Sequence, residues 1–217
     1  MDAISSNDLP ALFDALRRTF AEQREFLIAL DGKVGDSDLG ITMSKAFAAA
    51  HETVRALEAG TPAARQFKAA GMAMAKAAPS TMGTLTATGF LRGSQTLEGK
   101  EEIGVAELAA FWRAYFNGVA ERGKAKVGDK TLLDVLDPIA NSMEASAASG
   151  ASLTEALAAA SQEADEALER TKTMIAQHGK AAAFQEKSMG LQDAGATVGV
   201  LIIQTMRDFV SGTTGAA

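Results

Sequence analysis

The stretch Leu30-Asp31-Gly32-Lys33-Val34-Gly35-Asp36-Ser37-Asp38-Leu39-Gly40-Ile41-Thr42-Met43 is a glycine-punctuated turn between two helical patterns. It gathers three carboxylates, those of Asp31, Asp36 and Asp38. In an extended segment Asp36 and Asp38 leave the same face, because residues two apart do so. Asp31 closes the preceding helix and can reach back toward them. Three convergent carboxylates repel one another unless positive charge sits between them. Hard divalent cations, Mg2+ above all, meet that need through oxygen ligands and commonly bring phosphates with them. The same residues read equally as turn and capping aspartates, since Asp is favoured in turns and at helix N-caps.

On either side the apolar residues recur at helical spacing. A first helix opens near Asn7 or Asp8 with Pro10, and places Leu12, Phe13, Leu16, Phe20, Phe26, Leu27 and Leu30 on one face. Further helices are predicted at about 42–57, 63–78, 81–97, 105–122, 129–149, 152–178 and 195–210, with Gly, Pro or charged loops between them. No stretch alternates apolar and polar residues long enough for a strand. The expected architecture is all-α, eight antiparallel helices in one domain over residues 1–217, joined by short loops. Residues 179–193 form a polar loop long enough to suggest function. The tail from Ser211 to Ala217 is expected to fray.

Composition excludes several classes. A net charge of −6 gives no bulk attraction to nucleic acid or anionic membrane. There are no cysteines, hence no disulfide framework or thiolate metal site. The first ten residues carry no export signal, and the longest apolar run, near Val198 to Ile203, is far too short to span a bilayer. A soluble, cytoplasmic protein is expected.

In an up-and-down arrangement alternate turns meet at one end. The aspartate turn then shares its end with Pro79-Ser80-Thr81-Met82-Gly83, with Gly123 to Lys130, and with Gly179 to Asp193. Ser80 or Thr81 opens a helix whose free amides and positive dipole end suit an anion, and Gly83 would allow close approach. Gly128-Asp129-Lys130-Thr131 is a second such start. Each is also an ordinary cap taken singly, the lysine then being solvated. Together with three acids they describe a metal–phosphate site.

Competing motifs fail. Gly118 to Lys124 has P-loop spacing, but Ala125 replaces the required Ser or Thr and a helix, not a strand, precedes it. Asp31 to Thr42 is not an EF-hand, because Lys33 and Gly35 occupy ligand positions and Thr42 replaces the closing glutamate. His51 and His178 stand apart in polar surroundings and read as surface residues. Trp112 and Tyr115 read as core.

Four pieces carry a family resemblance: L-D-x4-D-x-D-x-G at Leu30 to Gly40, the loop Ser80 to Gly83, R-G-K-A-x-x-G-D-K-T at Arg122 to Thr131, and Q-D-x-G-A-T at Gln192 to Thr197. Over nearly its whole length the sequence resembles the nucleotide-binding L subunit of the dihydroxyacetone kinase family. That resemblance implies an eight-helix barrel with ATP or ADP and two Mg2+ ions at one end. Carried over by position, Asp31, Asp36 and Asp38 match the Mg2+ ligands. Ser80, Thr81 and Gly83 fall on the phosphate loop, Leu132 on the adenine pocket and Lys180 on a closing loop. Gly128 and Asp193, in the third and fourth pieces, complete the implied nucleotide site.

The sequence departs from the family pattern at Leu39, where a histidine is usual, at Leu191 and Ala194, in the phosphate loop, and at Lys180, where arginine is usual. Leucine cannot hydrogen-bond a phosphate, and lysine is a point charge where arginine offers a fork. These changes suggest a divergent branch acting on a small ketose such as a tetrulose. The implied reaction is phosphoryl transfer to a ketose held by a separate K subunit, through a covalent link to a histidine there. In relatives dependent on the phosphotransferase system a third protein rephosphorylates bound ADP; in others ATP exchanges. A Mg-ADP sensor that docks on a regulator, and a helical scaffold without ligand, are the competing readings.

Overall fold

Each helix owes its position to one buried stripe, and the structure, a computed structural model, describes residues 1–213. The helices are α1 (Leu9–Glu22), α2 (Arg24–Asp31), α3 (Leu39–Arg55), α4 (Ala63–Ala77), α5 (Thr81–Gln95), α6 (Val105–Gly123), α7 (Leu133–Ser149), α8 (Leu153–Thr171) and α9 (Ala194–Ser211). From α3 onward each packs on its successor, α9 packs on α1, and α1 packs on α3, so the ring closes. α2 extends the α1 stave, and the nine helices therefore build the eight staves expected. No helix among the described residues is long and apolar enough to cross a membrane.

Aromatic rings fill the barrel. The Phe90 centroid lies within 6.1 Å of those of Phe13, Phe47, Phe67, Phe111 and Tyr115. Phe20 stacks on Phe47 at 4.1 Å. Trp112 and Tyr115 are fully buried, as expected. α5 carries Gly89 and Gly93 in its interior, each unfavourable by about 1 kcal/mol relative to alanine. They are there for close approach: a Cβ at Gly89 would sit 2.2 Å from the Tyr115 ring, and one at Gly93 2.5 Å from Phe111.

Four expectations are corrected. A two-residue antiparallel pair, β1 (Ile4–Ser5) with β2 (Glu102–Ile103), ties the N-terminus to the α5–α6 connection. Strands this short leave no alternation to read. The first helix breaks at Gln23, whose ψ of 3° departs from helical values. Beyond the break Leu27 and Leu30 stay buried, but Phe26, expected inside, is 47% exposed. The seventh predicted helix ends at Thr171 rather than near His178. There the Lys172 carbonyl accepts from Gly190 (2.7 Å) and the Thr171 hydroxyl accepts from the Asp193 amide (3.1 Å), which turns the chain outward. Of the tail, residues 214–217 lie outside the described residues. Ser211 ends α9, and Gly212 caps it with a left-handed φ of 76°.

The close contact at Gly89 generates a test. Gly89→Ala should destabilise the fold by about 1–3 kcal/mol through overpacking against Tyr115, read from chemical denaturation. An unchanged midpoint would mean that α5 and α6 can part without cost.

Candidate functional site

The turn after α2 brings the three carboxylates together, by a different route from the one expected. Ser37 is left-handed (φ 63°) and Asp38 is near-helical (φ −102°, ψ −14°), so the segment is a tight turn and not extended chain. One carboxylate oxygen each from Asp31, Asp36 and Asp38 lies within 4.8 Å of the others. Gly35 makes room for this: a Cβ there would fall 2.1 Å from Asp31 Oδ1. Asp31 also caps α3, its Oδ2 accepting from the amides of Asp38 (3.0 Å) and Leu39 (3.4 Å). Oδ2 is engaged by these amides, and Asp31 remains one of the three acids of the cluster. Asp36 and Asp38 are exposed.

An all-oxygen donor set at this spacing fits a hard cation. Octahedral Mg2+ holds its ligands at about 2.1 Å, which places the oxygens of its ligands about 3–4 Å apart, and the trio needs to contract little to reach that. Lys180 already supplies positive charge here, its ammonium forming an ion pair with Asp36.

The helix termini surround this cluster. α3, α5, α7 and α9 begin at the same end, with Asp38, Ser80, Leu132 and Asp193 at their N-caps. A Cβ on Gly195 would lie 3.3 Å from Met82 Sδ and 3.7 Å from the Leu132 amide, so the starts of α9, α5 and α7 adjoin. The Thr86 hydroxyl reaches Met43 Sδ at 3.8 Å, which places the second turns of α5 and α3 side by side. Four helices therefore direct the positive ends of their dipoles to the end of the barrel that carries the acidic turn.

The predicted residues divide between open and occupied groups. The Ser80 hydroxyl caps α5, accepting from the Gly83 amide at 3.0 Å. Among the described residues the amides of Thr81 and Met82 meet no protein acceptor. Gly83 is glycine for packing: a Cβ would sit 2.0 Å from the Ala78 carbonyl oxygen. The amides of Gly128 and Thr131 are both taken by Asp134, at 2.6 Å each, so this helix start does not offer them to an anion. Leu132 is 2% exposed and faces Gly199 of α9. Leu39, the usual histidine position, is buried in the core. Asp193 caps α9 through the Ala196 amide (2.7 Å). Burial pushes its carboxyl up to about 6; the Ala196 amide opposes the shift, the nearby Asp134 carboxylate adds to it and the Lys130 ammonium opposes it.

Sequence reasoning missed the residues that hold the closing loop. Lys180–Ser188 forms a 3-10 segment interrupted at Gln185, whose φ is 47°. Lys130, expected in solvent, is 2% exposed and bonded to backbone carbonyls of the segment around this loop. His178, expected to stand alone, lies 3.0 Å from Asp129. His51 is also largely buried, with Nε2 3.7 Å from Asp14. The Thr131-x-x-Asp134 spacing is a capping signature that could have revealed Asp134. Nothing local signals the burial of Lys130.

Comparison with known proteins identifies the family. The DAK2 domain model matches residues 33–208. The chain is 34% identical to the ADP-binding subunit DhaL of the PEP-dependent dihydroxyacetone kinase of Escherichia coli, over 86% of this chain and 89% of that one. It is 32% identical to the corresponding subunit of kinase 1 from Listeria innocua, over 85% and 87%. It is also 34% identical to a D-erythrulose kinase of Mycolicibacterium smegmatis, where 92% of this chain matches 34% of that protein. The dihydroxyacetone kinase of C. freundii in complex with AMP-PNP and Mg2+ superposes with a TM-score of 0.71 at 24% identity. That match covers 92% of this chain and 33% of the other, and it shows a shared fold. The aspartate turn, the ring of helix starts and these likenesses agree: the chain belongs to the DAK2-domain family, that of the L subunits and L domains of dihydroxyacetone kinases.

Proposed function

We propose that this chain is the Mg-nucleotide-binding subunit of a small-ketose kinase, holding ATP or ADP at the acidic end of the barrel. The observation that carries this is the trio Asp31, Asp36 and Asp38, within 4.8 Å of one another at the end of the barrel where α3, α5, α7 and α9 begin. Mg2+, as two ions in this reading, would supply charge neutralisation between carboxylates and polyphosphate. The chain's own part is positional. Asp31, Asp36 and Asp38 hold the metal, and the Thr81 and Met82 amides at the start of α5 receive phosphate oxygens. Lys180, paired with Asp36 in the structure, would be free to meet the phosphates if a metal ion took its place on that carboxylate. Ser80, Gly83, Gly128, Leu132 and Asp193 shape the surrounding walls. Phosphoryl transfer is served mainly by such positioning and by fixed charges aimed at the transferred group.

The acceptor is a ketose held by a separate K subunit that closes over this end. Scattered exposed apolar residues are ordinary on a protein surface. Here, of six large exposed ones among the described residues, Phe26 lies on α2, which leads into the acidic turn, Val127 on the α6–α7 connection, and Phe184 and Met189 on the segment that carries Lys180. An apolar rim around a charged centre suits a protein partner. Two relatives are named as D- and L-erythrulose kinases, which supports a tetrulose beside dihydroxyacetone as the acceptor. The donor is ATP by exchange, or a phosphotransferase-system protein that recharges bound ADP.

The direct assay is phosphoryl transfer to dihydroxyacetone and erythrulose with the K subunit, Mg2+ and ATP. Tight Mg-ADP binding without transfer to either ketose, from ATP or from a phosphorylated donor protein, would favour a sensor. Asp36→Ala should abolish Mg-dependent nucleotide binding in calorimetry while circular dichroism keeps its helical signal; retained binding would reduce the carboxylates to caps. Lys180→Ala should weaken ADP roughly tenfold, the scale of one charge-assisted contact, and leave the thermal midpoint of the nucleotide-free protein nearly unchanged, since exposed ion pairs contribute little.

A further inference from the structure

The Lys130 ammonium has three N–H groups, and the structure spends all three on backbone carbonyls: Met174 O (3.2 Å), Leu191 O (2.7 Å) and Ser188 O. The donor count of an ammonium is thereby met in full. These acceptors come from both stems of the closing segment: Met174 precedes the 3-10 run Lys180–Ser188, Ser188 is its last residue and Leu191 follows it. Lys130 itself is 2% exposed. Burial of a cation costs several kcal/mol unless its surroundings compensate, and among the described residues no carboxylate bonds this one directly.

The backbone at Lys130 is also unusual. Its φ of 58° lies in the left-handed region, which side-chain-bearing residues seldom adopt. Such strain persists where the surroundings over-determine the conformation. Here Asp134 fixes the amides of Gly128 and Thr131 on either side, and the Asp129 carbonyl accepts from Gln177 at 3.0 Å. The strained residue is held from both directions and aimed at the stems.

We propose that Lys130 is the positioning residue of the closing loop: its buried ammonium clasps both stems, and this clasp sets how long nucleotide stays bound. The second half rests on the function proposed above. Lys130 does not touch the nucleotide in this account; it acts through Lys180. With the stems tied at 174, 188 and 191, the intervening arc has little freedom, and Lys180 is delivered onto the acidic trio, where its ion pair with Asp36 is seen. An arc released from its stems would present the same lysine only part of the time. Three carbonyls left without donors in a dry pocket would also force the stems apart to reach water.

The test is amide hydrogen exchange and ADP release on the full chain, comparing wild type with Lys130→Met and Lys180→Ala. Without nucleotide, Lys130→Met should accelerate exchange at residues 174–191 by about tenfold or more, the mark of local opening, while α3 to α6 keep wild-type protection. Lys180→Ala should leave the stems protected. With Mg2+ and ADP, Lys130→Met should shorten nucleotide residence by roughly the same factor, which a merely structural substitution elsewhere in the barrel would not do. If the methionine variant does not fold, Lys130→Gln, one bond shorter and with two N–H groups in place of three, takes its place in both measurements, with faster exchange at the same residues expected. Unchanged exchange at the stems overturns the clasp. Faster exchange with wild-type ADP residence overturns its link to retention. Wild-type protein that binds no Mg-ADP at all counts against the function proposed above, and the exchange comparison, made without nucleotide, still decides whether Lys130 holds the loop.

Discussion

Mutual repulsion among Asp31, Asp36 and Asp38 is the constraint around which this structure is arranged. Free in solution, three carboxylates on one short turn would separate. The fold holds an oxygen of each within 4.8 Å of the others, by means that are visible locally. Ser37 adopts a left-handed conformation, Gly35 leaves space for the Asp31 carboxylate, and the first amides of α3 fix one of its oxygens. Against this repulsion stand four helix starts, each carrying partial positive charge, and the ammonium of Lys180. A site that concentrates negative charge at the end of the barrel where the open amides of Thr81 and Met82 also lie is suited to a cation and an anion together.

The rest of that end is a support for the loop that covers it. Gly128 to Asp134 resembles a phosphate-binding helix start in sequence, yet its amides point inward to Asp134. What this segment contributes instead is grip: Asp129 holds Gln177 and His178, and Lys130 holds the stems at 174, 188 and 191. At the start of α5 the first amides are open, whereas the start of α7 spends its amides on Asp134 and its lysine on the stems. The two helix starts look alike in sequence and do different work.

Much of this was legible before the structure. Helical periodicity fixed the staves, because each buries one stripe against a shared aromatic interior, and the alternation of turns foretold which loops would meet. The co-location of the acidic turn with the α5 start followed from that alone. What escaped were contacts that depend on distant partners. Lys130 reads as a surface lysine until residues 174–191 are folded over it. His178 reads as solitary until Asp129 arrives. Two-residue strands at Ile4 and Ile103 lack any period, and the bend at Gln23 carries no proline or glycine to announce it. The convergence of Asp36 and Asp38 was anticipated but attributed to extended chain, where the structure has a left-handed turn. Leu39 was a departure without a place; in the structure it is part of the core, so it offers nothing to a phosphate.

The most direct measurement is anomalous X-ray scattering from crystals of the full chain grown with Mn2+, a spectroscopically heavier substitute for Mg2+, and ADP. The account predicts anomalous peaks at coordination distance from carboxylate oxygens of Asp31, Asp36 and Asp38, with the diphosphate reaching the same ions from the start of α5. Nucleotide bound elsewhere, or manganese absent from this turn at saturating concentration, would contradict it.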